Sequence, residues 1–198
     1  MSQLLSCGLE CPLDWVPLPV EPDDDVAGWV KAKAAEIVDR SREAGYHVAL
    51  KTVRADLKER AQDSRGRDPF YAFALYPDGF DTALATLEVD LIHPDDEVPE
   101  ITLDWLAEVF SAKDFGPPDI AHVDLPIGRS VKIRQNFAAK SSWWKTPGVL
   151  MESVIYGVVP KGTDSAVIAL FSWTVPGIAE SMEEAAESIV RTLVAEVG

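Results

Sequence analysis

Between residues 70 and 175, apolar side chains recur at every second position in three successive pairs of segments, each pair joined by a turn rich in proline and glycine. A stretch with that period and that punctuation has few options besides an antiparallel sheet. Segments 70–76 and 84–92 are joined through Pro77, Asp78 and Gly79; segments 120–125 and 129–137 flank Pro126, Ile127 and Gly128; segments 149–159 and 166–175 flank Pro160, Lys161 and Gly162. The last pair is apolar on both faces. Val154 and Val158 alternate there with Ile155 and Val159, and Ile168 and Leu170 with Phe171 and Trp173. Strands covered from both sides have this composition, so helices are expected above and below the sheet.

The sequence supplies those helices. After the acidic stretch 21–25, whose carboxylates suit the positive end of a helix dipole, Val26, Trp29, Val30, Ile37 and Val38 recur at helical spacing as far as Gly45. Val48, Leu50, Val53 and Leu57 continue the pattern, and whether Gly45 ends one helix or bends it is open from periodicity alone. Thr102 is placed to cap a helix bearing Leu103, Leu106, Ala107 and Phe110, which Gly116, Pro117 and Pro118 stop. Ser181 and Glu184 have capping-box spacing, and Met182, Ala186, Ile189, Val190, Leu193 and Val197 mark a closing amphipathic helix. Pro12, Pro17 and Pro19 make residues 1–24 an extended lead-in. The expectation is one α+β domain spanning 1–198: lead-in 1–24, helical segment 25–61, then 70–198 with an antiparallel sheet of about six strands sandwiched by helices.

Composition narrows the function. At 198 residues, with 47% hydrophobic and 26% charged residues, the chain can bury a sizeable core without disulfides or metal. A formal net charge of −15 repels phosphate backbones and anionic headgroups, so neither nucleic acid nor membrane is the expected partner. No apolar run is long enough to span a bilayer and no basic segment opens the chain, which points to the cytoplasm. Leu4, Leu5, Ser6 and Cys7 look like the tail of a lipoprotein cleavage site, but only six residues precede the cysteine and none is basic. Cys7 and Cys11 are expected to be a reduced pair without a metal, since a structural zinc needs two further ligands that no nearby histidine supplies. No cofactor is expected.

The turn at 123–129, the pair of segments 156–160 and 166–172, and the helix at 184–193 together resemble the Mog1/PsbP-like proteins, in which an antiparallel sheet lies between helices. The resemblance covers about the last 130 residues. It implies an α/β/α sandwich and a non-catalytic binding or assembly role. The long helical segment 25–61 is outside that pattern.

Two constellations could carry function. His93, Pro94, Asp95, Asp96 and Glu97 resemble the signature of zinc-dependent deacetylases, in which His93 and Asp96 would be ligands and Asp95 the general base on a metal-bound water. The same string is ordinary turn chemistry at a strand exit, and the glycine-rich continuation of the signature is replaced by Val98, Pro99 and Glu100. The second constellation is basic. Residues 86–119 hold ten acids and one base, whereas 129–145 hold Arg129, Lys132, Arg134, Lys140 and Lys145 without an acid, together with Trp143 and Trp144. Aromatic side chains beside cations suit a protein-docking point. Alternatively one tryptophan fills the core while Lys132 and Arg134 guard an edge strand or pair with Glu88 and Asp90. The leading expectation is a cytoplasmic, non-enzymatic protein that binds another protein; a metallohydrolase, a small-ligand carrier and a symmetric homodimer through a sheet edge are the alternatives.

Overall fold

The computed structural model describes residues 3–139 and 149–198, and of Ala139 and Val149 the backbone alone. In chain order the elements are β1 (Leu4–Gly8), β2 (Trp15–Pro17), α1 (Val26–Glu43), α2 (Leu50–Arg65), β3 (Tyr71–Leu75), β4 (Ala85–Ile92), α3 (Leu103–Val109), β5 (Asp119–Leu125), β6 (Gly128–Ala139), β7 (Val149–Pro160), β8 (Ala166–Trp173), α4 (Ala179–Val190) and β9 (Val194–Val197). The fold is α+β, with an antiparallel seven-stranded sheet in the order β2-β3-β4-β8-β7-β6-β5 and a two-stranded sheet of β1 and β9. All three predicted hairpins are present. The chain divides into two compact units, residues 11–88 and residues 1–10 with 89–198.

In residues 11–88, α1 begins at Asp25, whose side chain accepts from the Gly28 N–H at 3.0 Å. It ends because Gly45 takes φ +86°, a left-handed conformation that glycine adopts without steric cost. Two helices therefore stand where periodicity left the choice open, and the second runs on to Arg65. Ile37 of α1 and Val53 and Leu57 of α2 pack with Val16, Ala74 and Tyr76 in one buried cluster. The lead-in is extended as expected, but it is hydrogen-bonded: Trp15 to Pro17 pair with Leu75 to Phe73.

In the other unit, β5, β6, β7 and β8 form a meander whose two faces are covered by different helices. Ile133, Ile155 and Ile168 pack with Leu106 of α3 on one face. Gly157 lets α3 approach closely there, since a Cβ on it would lie 3.0 Å from Leu106 Cδ1. Buried Gln135 secures the end of α3, donating to the Phe110 carbonyl at 2.9 Å and accepting from the Ala112 N–H at 2.6 Å. On the opposite face α4 buries Met182, Ala186, Ile189 and Val190 against β7 and β8.

Two local expectations fail at this end of the chain. The cap of α4 is Ile178, without a side-chain hydrogen bond, so Ser181 lies inside the helix and the capping box is not used. The helix also stops at Val190 and does not reach Val197. Thr192 returns its hydroxyl to the Ile189 carbonyl at 2.7 Å, and Val194 to Val197 then pair with β1, Leu4 opposite Val197 and Cys7 opposite Ala195. A long-range partner strand outweighs the local helical period.

Candidate functional site

Strand β6 carries the described part of the basic run, and its two-residue period divides that run between faces. Lys132 and Arg134 point toward α4, where Glu183 accepts from both, at 2.7 and 3.0 Å. Glu88, one of the acids expected to pair with them, instead takes Ser64 Oγ at 2.9 Å and the Arg67 guanidinium at 2.6 to 3.0 Å. Lys140, Trp143, Trp144 and Lys145 lie outside the described residues. The predicted constellation thus reduces to Arg129, the one cation of β6 on the α3 face.

Arg129 faces an open cleft of about 450 Å³ between the start of α3 and the β5–β6 hairpin. Thr102 sets one wall, since its hydroxyl accepts from the Trp105 N–H at 3.1 Å and so caps α3 as the sequence predicted. The other wall is β5. Register places Asp124 opposite Arg129, His122 opposite Val131 and Ile120 opposite Ile133, so these three side chains share the face of Arg129. Glu100 and Asp104 add carboxylates to the same cleft. Among the described residues Arg129 forms no ion pair or side-chain hydrogen bond, in contrast to Lys132 and Arg134.

Strand β5 is also the last strand of the sheet. Its first four residues are exposed, with Ile120 at 44%, and its only strand partner among the described residues is β6. This edge escaped the sequence reading. Its weak alternation, with alanine, histidine and aspartate among the outward residues, is the signal available, but strand order is not written in periodicity.

The HPDDE string forms a turn. Asp95 Oδ1 accepts from the Glu97 and Val98 N–H groups at 2.9 and 2.7 Å, and the His93 ring lies 3.1 Å from Ser165 Oγ. Its carboxylate shapes the backbone, as aspartate does in such turns. The sheet around it is antiparallel, unlike the parallel sheet of the deacetylases it resembles, and among the described residues no three His, Cys, Asp or Glu side chains gather to hold a metal.

The strongly shifted titrations lie elsewhere. Burial pushes the Cys7 thiol up to about 11, and burial with Asp14 nearby pushes Cys11 up to about 12. Burial and the adjacent Asp56 raise Tyr76, while burial with Glu187 and Glu183 raises Tyr156. Burial acts downward on Arg67 but is outweighed by its bonds to Glu88 and Asp63. These groups are protonated at neutral pH and none lines the cleft.

No family model matches the sequence, and no curated protein matches it. Among solved structures, LpqN of Mycobacterium tuberculosis, a protein involved in cell envelope biogenesis, is similar with a TM-score of 0.52 at 12% sequence identity, over 96% of this chain and 83% of that one. At such identity the likeness is one of fold. No helix among the described residues is long and apolar enough to cross a membrane.

Proposed function

We propose that this chain is a non-catalytic binding or accessory protein of the Mog1/PsbP-like type, acting in the cytoplasm, and that it recognises another protein through the β5 side of its C-terminal unit. The observation that carries this reading is the exposed β5 edge beside a cleft in which Arg129 has no partner among the described residues. Polar groups already paired within the chain gain little from a partner, whereas exposed groups bonded only to water can exchange those bonds for a partner's at a net gain of about 0.5–1.5 kcal/mol each. An accessory role is compatible with the fold shared with LpqN, whose own involvement is in cell envelope biogenesis.

The cytoplasmic assignment draws support from the N-terminal strand. Cleavage ahead of Cys7 would remove Leu4, which is 2% exposed and paired with Val197, and a lipid on the Cys7 sulfur would displace its packing in β1. Both would disturb the two-stranded sheet.

Affinity capture from the native cell tests the reading, with wild-type chain and Ile120→Lys as baits. A lysine on an edge strand discourages strand addition, and an exposed site tolerates it. Loss of a stoichiometric partner from the variant, at unchanged melting temperature, is expected; identical recovery by both baits removes the β5 side from consideration.

A further inference from the structure

The geometry points to β5 as a docking strand for an extended, lysine- or arginine-bearing segment of another protein, which adds to the sheet as its next strand. This rests on the binding-protein reading and gives the partner a chemistry.

The backbone argument comes first. Pro126 and Ile127 make a two-residue turn, so Leu125 and Gly128 are the hydrogen-bonded pair that closes it. Bonded and non-bonded pairs alternate from there, and the register is unbroken to Asp119 opposite Arg134. Val123 then faces β6, in agreement with the bond its carbonyl accepts from Ser130 Oγ at 2.8 Å. The N–H and C=O groups of Ile120, His122 and Asp124 consequently point away from β6. A strand added to an edge satisfies such groups, which is how many proteins take up extended peptides.

The two ends of the sheet differ in how they prevent that event. At one end, β2 is three residues long and contains Pro17, both ordinary protections of an edge. At the other, β5 is seven residues long and has no proline, lysine, arginine or bulge. Ile120 adds an exposed apolar contact near its start.

Charge selects the occupant. On the cleft face Asp124, Glu100 and Asp104 set three carboxylates against the single guanidinium of Arg129, on a chain of net charge −15, while Asp119 lies on the other face across from Arg134. An acidic segment meets repulsion there. A second copy of this chain offers no opposite charge either, because the antiparallel register that centres β5 on His122 sets Asp124 opposite Ile120 and Asp119 opposite Leu125, and both copies carry a net charge of −15. A cationic strand with an apolar residue near Ile120 fits both demands.

The test uses the full chain and three labelled peptides: one alternating lysine and valine, one alternating glutamate and valine, and the lysine peptide with a central proline. Fluorescence anisotropy is expected to show the first binding at least about tenfold more tightly than either other, since both charge and strand pairing contribute. Amide exchange should slow at Ile120, His122 and Asp124 in the complex. Asp119→Lys with Asp124→Lys should reverse the preference between the lysine and glutamate peptides. Equal binding of the proline peptide means charge adsorption without strand pairing and overturns the proposal; so does failure of the lysine peptide to bind, or a dimer in sedimentation that Ile120→Lys dissolves. If capture of a natural partner is lost in Ile120→Lys while no lysine peptide binds, the binding-protein reading stands and this inference falls. If the lysine peptide binds as described but capture is unaffected, the edge is competent and the proposed function is wrong.

Discussion

The two units treat their polar groups in opposite ways. In residues 11–88, carboxylates are buried and their bonds are complete: Asp56 takes the Tyr76 hydroxyl at 2.6 Å and the Ala83 N–H at 2.8 Å, and Glu88 is gripped by Ser64 and Arg67. In the unit that holds β5 to β8, the described buried polar side chains are uncharged, among them Ser130, Gln135 and Ser165, and carboxylates collect at the β5 edge and its cleft. Buried, satisfied polar groups specify a packing arrangement; exposed, unpaired ones are available to a partner. The same residue types therefore serve stability in one unit and are left exposed in the other.

Three substitutions put this contrast at risk, in order of expected effect. Asp56→Ala strands the buried Tyr76 hydroxyl and the Ala83 N–H, and should cost about 3 kcal/mol, read as a lower urea midpoint at constant slope. A cost below about 1 kcal/mol would show that the buried network is not what holds residues 11–88 together. Glu183→Ala removes the acceptor of two bridges on the α4 face, where Arg134 is 46% exposed. Its cost should stay within about 1 kcal/mol in the same titration, and a larger loss would place structural weight on the basic face. Arg129→Ala should change stability by less than about 0.5 kcal/mol, because the side chain holds nothing described in place. A clear loss there would make the cleft arginine a structural residue, and the recognition reading would lose its marker.

Features that depend on near neighbours in the chain could be read in advance. Thr102 needs only a donor three residues on, and it caps α3 as its spacing indicated. The three hairpins likewise follow from alternation and turn residues, and the apolar character of both faces of β7 and β8 is visible in Val154, Ile155, Val158 and Phe171. Ser181 shows where such reasoning stops. Its spacing to Glu184 is that of a capping box, yet the chain enters the helix earlier, at Ile178. Lys132 and Arg134 show the same limit, since their acceptor Glu183 is about fifty residues away in sequence. The candidate site was legible only in Arg129; the edge beside it was not.

By itself the sequence determined the class of fold, the hairpin pairs and the alternation that sends each side chain to one face or the other, because these depend on backbone geometry repeated over a few residues. Tertiary structure alone decided that β5 ends the sheet, that residues 194–197 become a strand against β1, and that Glu183 neutralises two of the three described cations on β6 while Arg129 is left facing the cleft. Those outcomes turn on which distant segments meet, and the energies that choose among distant segments are not carried by any local period.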